Sequence, residues 1–144
     1  MPMNIALIAH DNKKELMAQF CTAYLSSFSK HILYATSTTG AVVSAATGLS
    51  ITSLLMGAYG GSEQIGARIE CGEIDIAIFF LDPNDDDYEG TVAYLAKCCD
   101  RSTIPFATNA ATAEALVFAL DRGDLDWLEI AHPKINGVMH MAEV

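Results

Sequence analysis

Short, nearly continuous apolar runs alternate along this chain with longer segments in which apolar residues recur at helical spacing. The runs that predict buried strands cover residues 4–9, 31–35, 51–55, 74–81 and 105–108. The segments between them predict helices, ending near residues 27, 46, 70, 101 and 120. Strands alternating with helices predict an α/β fold: one three-layer, Rossmann-like domain over residues 1–144 with a mostly parallel five-stranded sheet. The pattern is weak beyond about residue 121, and no element is predicted there.

Local signals refine three of these helices. In the first, Leu16, Phe20 and Leu25 recur at helical spacing and predict its buried face, and Asp11 or Asn12 is expected to cap its start. Gly72 follows the helix over 62–70 and predicts its C-terminal cap. Asn109 leads into the last helix.

Composition restricts the classes of partner. The net charge of −10 argues against general binding to nucleic acid or to anionic lipid. Apolar runs stay well short of the roughly 20 residues that span a bilayer. The N-terminal residues 1–9 run directly into a strand and do not resemble a signal peptide. The four cysteines lack Cys-x-x-Cys spacing and are interpreted as reduced, mostly buried residues of a cytoplasmic protein.

Polar clusters follow each predicted strand, where parallel α/β sheets bind their ligands. They are His10-Asp11, Thr36 to Gly40, Gly57 to Ser62, Asp82 and Thr108-Asn109. Because the carboxyl ends of parallel strands share one edge of the sheet, these clusters are expected to converge on a single site.

A phosphate group suits this site. Lys14 lies one helical turn beyond His10, and its ammonium provides a point charge for a phosphate monoester. Residues 36–39 (Thr-Ser-Thr-Thr) add four hydroxyls to the amides of a helix N-terminus, more than one cap requires. The alternatives are a solvated surface lysine and simple helix capping.

The remaining candidates each have two interpretations. His10 either donates a hydrogen bond to a substrate oxygen or packs at the strand end, paired with Asp11. Asp11 and Asp82 either orient that histidine or bind water, or they simply cap a helix, and Asp82 before Pro83 also fits an ordinary turn pair. The acidic stretch 85–89 is interpreted as a solvated loop, and no metal site is predicted because it lacks EF-hand spacing.

From about Asn4 to Ala115 the chain resembles the methylglyoxal synthases through five motifs. They are His10-Asp11-x-x-Lys14, Leu33-Tyr34-Ala35-Thr36-x-Thr38-Thr39-Gly40, Gly60-Gly61-x-x-Gln64-x-Gly66-Ala67, Phe79-Phe80-x-Asp82-Pro83 and Ala107-Thr108-Asn109-x-Ala111-Thr112-Ala113. The resemblance implies elimination of phosphate from dihydroxyacetone phosphate to give methylglyoxal, without a metal or organic cofactor, in a cytoplasmic homohexamer. It also implies a set of substrate-binding residues: His10, Lys14, Thr36, Ser37, Thr38, Thr39, Met56 and Gly57. Asp11 and Asp82 would belong to the surrounding carboxylate network.

Three departures concern the chemistry. The family carries an aspartate, its general base, where this chain has Ser62, and a serine hydroxyl is not a base at neutral pH without a second group. Met56 replaces a phosphate-binding serine. The loop after Asp82-Pro83 looks one residue shorter and lacks the family's second active-site histidine and an aspartate. Tyr88, and one of the aspartates at 85–87, are non-positional candidates to replace them.

The sequence is therefore compatible with three functions. In one, the chain is a methylglyoxal synthase with Glu63 or Asp82 as substitute base. In a second it is a catalytically silenced protein that binds phosphate or a metabolite, as in the regulatory domain of carbamoyl phosphate synthetase, with Ser62 serving only as a helix cap. In a third it is a lyase for a different phospho-sugar. His132 and His140, in the uninterpreted tail, either enter a site or face solvent.

Overall fold

The structure, a computed structural model, describes residues 2–54 and 61–128, together with the backbone of two short paired strands at 134–135 and 138–139. The substrate-binding assignments of Met56 and Gly57 therefore lie outside the described residues, as do His132 and His140. Among the residues that are described, no helix is long and apolar enough to cross a membrane.

Five strands form one sheet in the order β3-β2-β1-β4-β5, and every neighbouring pair is parallel. The strands are β1 Asn4–Ala9, β2 Ile32–Thr36, β3 Ile51–Leu54, β4 Ile76–Phe80 and β5 Phe106–Ala107. The helices are α1 Lys14–Ala23, α2 Leu25–Phe28, α3 Ser37–Thr47, α4 Gly61–Glu70, α5 Tyr88–Ser102 and α6 Ala110–Arg122, with a 3-10 turn at Asp11–Lys13. A short antiparallel pair, β6 Lys134–Ile135 and β7 Val138–Met139, lies in the tail. The predicted fold class is confirmed, with all five strands within two residues of their expected starts.

Helices cover both faces of the sheet because alternate residues of the central strands point to opposite sides. From β1, Ile5 and Leu7 pack into one core with α1, α3 and α6. From the same strand, Ala6 and Ile8 pack into the other core with α4 and α5. The near-continuous hydrophobicity of β1 and β4 thus reflects strands buried on both faces.

The predicted first helix is divided in the structure. Tyr24, at φ −111° and ψ 31°, interrupts it between α1 and α2, and its ring packs against Phe20 and Phe118. Phe20 is buried, whereas Leu16, in the first turn of α1, and Leu25, in α2 beyond the interruption, remain substantially exposed. The prediction that all three face the core was wrong for both leucines.

The predicted caps have mixed outcomes. Asn109 caps α6, its side-chain oxygen accepting from the Thr112 N–H at 3.0 Å. Gly72 ends the turn after α4 at φ +80°, a conformation that favours glycine. Asp11 and Asn12 do not cap the first helix, because Asp11 binds the Lys14 ammonium instead.

Candidate active site

The site forms where β1, β2 and β4 end side by side at one edge of the sheet. His10 directly follows β1, and its N–H donates to the Phe80 carbonyl of β4 at 3.1 Å. On the other side of β1, the Ala9 N–H donates to the Thr39 hydroxyl in the first turn of α3, at 3.3 Å. The predicted convergence of the polar clusters that follow these strands is therefore confirmed for the described residues.

The His10 imidazole is buried and held in one tautomer. Only 7% of the residue is exposed, and its ring packs against Phe79 with 5.0 Å between centroids. The Asp82 backbone N–H donates to His10 Nδ1 at 2.8 Å. Because a backbone N–H can only donate, Nδ1 is an acceptor and the ring proton lies on Nε2. His10 Nε2–H therefore faces the site as a donor.

Asp87 is the partner of that donor. Its Oδ1 lies 2.8 Å from His10 Nε2, and 60% of its side chain is exposed. The alternative pairing of His10 with Asp11 was wrong, because Asp11 extends into solvent. In the sequence Asp87 belongs to a predicted solvated loop and is one of three aspartates considered as replacements for a missing one, but no motif spacing distinguishes it from its neighbours.

Asp82 orients the histidine through its backbone rather than its carboxylate. Its Oδ1 accepts from the Asn84 N–H at 3.0 Å, which stabilises the turn after β4. Asp82 thus orients the histidine through its backbone N–H and stabilises the turn through its carboxylate.

Lys14 brings a cation to the same edge. Its side chain is 14% exposed, and Nζ lies 2.5 Å from Oδ1 of Asp11, whose own side chain is 99% exposed. An ion pair with a fully solvated carboxylate contributes little stability. Lys14 can therefore exchange Asp11 for a more strongly held anion at small cost.

The first turn of α3 divides its four hydroxyl residues into two pairs. Thr36 and Thr39 are buried, and the Thr36 hydroxyl donates to Thr39 Oγ1 at 3.0 Å. Ser37 and Thr38 are half-buried. The Thr36 side chain does not cap α3, so the first amides of this helix remain open to an anion. The buried pair fixes the turn, while the other two present hydroxyls at its surface.

A cavity of about 290 Å³ lies between the first turns of α4 and α5. Its lining residues are Ser62, Glu63, Asp86, Asp87, Gly90, Thr91 and Tyr94. Ser62 lies inside the first turn of α4, which begins at Gly61, rather than capping that helix from outside. Ser62 thus shares a cavity with the acidic loop that precedes α5.

Partial burial, together with Cys98, Glu70 and Glu63, raises the pKa of the Tyr94 phenol above its usual value. Tyr88, the proposed phenol donor, packs against the core formed with α4 and α5.

Asp85 completes the acidic loop. The Asp87 N–H donates to Asp85 Oδ1 at 3.1 Å, and hydrogen bonding to Asp87 lowers the pKa of the Asp85 carboxyl. Asp85 therefore remains ionised, beside the His10–Asp87 pair.

Three potential ligand atoms, from His10, Asp85 and Asp87, lie within 4.8 Å of one another. This arrangement does not fit a metal ion well. The His10 nitrogen that faces Asp87 carries the ring proton, and a metal-ligating nitrogen must be free of it.

Comparisons with known proteins agree with this architecture. Residues 17–108 match the model of the MGS-like domain family. The chain is 54% identical over 135 residues to the methylglyoxal synthase of Caldicellulosiruptor saccharolyticus, covering 93% of this chain and 96% of that protein. It is also 54% identical over 129 residues to the methylglyoxal synthase of Oceanobacillus iheyensis, covering 89% and 92%.

A solved structure shows the same fold. The crystal structure of methylglyoxal synthase from Elizabethkingia anophelis superposes with a TM-score of 0.74 at 32% sequence identity, covering 81% of this chain and 77% of that one. The family match covers most of the sheet and both helical layers, and the relatives align over nearly their whole length. The chain therefore belongs to the methylglyoxal synthase family.

Proposed function

We propose that this chain binds dihydroxyacetone phosphate at the edge where β1, β2 and β4 end, and eliminates phosphate to give methylglyoxal. The observation that carries the proposal is the buried His10, whose fixed tautomer directs Nε2–H into a site flanked by Lys14 and α3. Relatives at 54% identity are methylglyoxal synthases, which supports the same reaction.

The phosphate group is assigned to the start of α3. Amides at a helix N-terminus, the hydroxyls of Ser37 and Thr38, and the Lys14 ammonium together supply donors and positive charge for a dianion. Thr36 and Thr39 act indirectly, because their mutual hydrogen bond holds the turn in shape. This local grip explains how a chain with a net charge of −10 can bind an anion.

The carbonyl oxygen is assigned to His10 Nε2–H. Removing a proton from the neighbouring carbon moves negative charge onto this oxygen, and a preoriented donor in a buried site stabilises that charge. The donor is neutral imidazole, so it needs no prior protonation step. The proposed reaction uses no metal or organic cofactor.

Ser62 favours a second candidate function. A serine at the position of the family's carboxylate leaves the phosphate-binding residues in place while removing the expected base. The chain would then bind phosphate or a phosphorylated metabolite without converting it. The two functions share their binding step and differ in proton transfer.

Two measurements on purified protein separate these functions. Calorimetry with inorganic phosphate and with dihydroxyacetone phosphate tests the binding that both require. A methylglyoxal assay tests turnover, and turnover is the result we expect. Binding without turnover would establish the second function, and absence of binding would overturn both. Sedimentation of the same preparation tests the hexamer, which should have about six times the 15.4 kDa mass of the chain.

A further inference from the structure

The cavity that contains Ser62 also contains a carboxylate, on the side formed by the start of α5. Asp87 lines this cavity together with Ser62 and is also hydrogen-bonded to His10. Asp87 therefore lies between Ser62 and His10, the proposed donor to the substrate carbonyl.

We propose that Asp87 is the catalytic base of this chain, taking the role of the missing carboxylate at position 62. The inference rests on the proposed function, since it assumes dihydroxyacetone phosphate as the substrate. When the substrate carbonyl binds to His10 Nε2–H, it takes the place that Asp87 Oδ1 occupies at 2.8 Å. The displaced carboxylate then lies beside the carbon next to that carbonyl.

Geometry favours Asp87 over the two candidates named from the sequence. The Asp82 carboxylate is engaged by the Asn84 N–H, and that residue reaches His10 through its backbone. Glu63 lines the same cavity but is an exposed residue in the first turn of α4. Asp87 alone of these three places a carboxylate oxygen in contact with the His10 imidazole.

Solvent access suits the proposed role. The Asp87 side chain is 60% exposed, so a proton taken from substrate can exchange with water. Its other oxygen, Oδ2, accepts from the Thr91 hydroxyl at 3.3 Å, which ties the carboxylate to the first turn of α5. The carboxylate is thus positioned by its own helix without being enclosed.

The reaction balances with this single base. Asp87 takes a proton from the hydroxymethyl carbon, the C–H pair forms a C=C bond, and the carbonyl oxygen becomes an enediolate oxygen bound to His10 Nε2–H. The hydroxyl oxygen then forms the aldehyde C=O bond, and the C=C electron pair moves to form a new double bond between the central carbon and the phosphate-bearing carbon. The C–O bond of the phosphate-bearing carbon breaks, and its electron pair leaves with phosphate. The resulting enolate takes the Asp87 proton on that carbon as its oxygen re-forms the C=O bond, and the hydroxyl proton leaves with phosphate. The products are methylglyoxal and hydrogen phosphate.

Asp87→Asn tests the assignment, with Glu89→Gln as the matched control because Glu89 is an exposed acid in the same first turn of α5. We expect Asp87→Asn to lower kcat by at least about 100-fold while the dissociation constant for inorganic phosphate stays unchanged. Glu89→Gln should retain wild-type turnover. Solvent deuterium exchange into dihydroxyacetone phosphate, followed by NMR, should fall in parallel with kcat.

A double variant distinguishes a base from a structural residue. Ser62→Asp in the Asp87→Asn background restores a carboxylate to the same cavity, and we expect it to recover turnover. Wild-type kcat in Asp87→Asn, or a loss confined to Glu63→Gln, would overturn the assignment. Wild-type protein that binds dihydroxyacetone phosphate but shows neither turnover nor exchange would also overturn it, while leaving binding intact. Absence of binding would instead remove the proposed function itself.

Discussion

At the scale of single residues, the site depends on which atom of each side chain is engaged. Nδ1 of His10 is bound by a backbone N–H, so its tautomer does not depend on the side chain at position 82. The contact of Asp87 with His10 Nε2 and the contact of Asp11 with Lys14 Nζ are the two that a bound substrate would replace. The groups proposed to bind substrate are therefore held in place but remain accessible.

Lys14 provides a residue-scale prediction. Lys14→Met keeps the apolar stem and removes the ammonium, so phosphate loses a charge-assisted hydrogen bond of about 1.5–3 kcal/mol, or roughly 10- to 150-fold in affinity. Calorimetric titration with inorganic phosphate measures this loss. Lys13→Met is the matched control, because it removes the same charge one residue away. Equal weakening in both variants would show that only net charge matters.

At the scale of elements, α4 and α5 meet through a contact that requires glycine. A Cβ built at Gly66 of α4 would lie 2.3 Å from the Tyr94 hydroxyl oxygen and 2.7 Å from its ring. The close approach holds the first turns of the two helices around the cavity that contains Ser62 and Asp87.

Gly66→Ala should therefore destabilise the protein by about 1–3 kcal/mol, the usual cost of overpacking. In a Tyr94→Ala background the same change should instead stabilise by up to about 1 kcal/mol, because alanine is the better helix former. Urea denaturation of the four proteins measures both effects. An unchanged cost in the Tyr94→Ala background would contradict the proposed contact.

His31 links a second pair of elements, where its Nδ1 accepts from the Met3 N–H at 2.9 Å just before β1 and β2. Burial lowers the pKa of His31 below its usual 6.5, against smaller raising effects of Asp121 and Asp75. Below pH 6.5 the unfolded chain takes up a proton that the folded chain resists, so stability is lost as the pH falls.

Replacing His31 removes this pH-dependent contribution to the stability of the protein. In His31→Gln, stability should fall less between pH 7.5 and 5.5 than it does in the wild type. The comparison needs chemical denaturation of both proteins at the two pH values. The same pH dependence in both would show that His31 does not contribute.

At the scale of the whole molecule, periodicity and strand-end chemistry predict the fold and the location of the site well. The strands, the parallel sheet and the convergence of His10, α3 and Asp82 follow from patterns that are local in sequence. The role of Asp87 could not be read in this way. It depends on where a short loop places the start of α5 relative to the end of β1, and no spacing rule records that distance.

The exposure of Leu16 and Leu25 likewise could not be read from local spacing. Helical spacing groups Leu16 and Leu25 with Phe20, but only Phe20 is buried. Which positions are covered depends on tertiary packing that spacing does not record, such as the contact of Tyr24 with Phe118 of α6. Similarly, four adjacent hydroxyl residues look equivalent in sequence, and only the contact between β1 and α3 buries Thr39.

The most direct test of the central claim is the stoichiometry of products formed from dihydroxyacetone phosphate by the wild-type protein. Methylglyoxal and inorganic phosphate are measured together, and the rate is compared with spontaneous decomposition in the absence of protein. We predict that both products are released in equal amounts, at a rate proportional to protein concentration. Saturable binding of dihydroxyacetone phosphate with product release no faster than the background would contradict the claim.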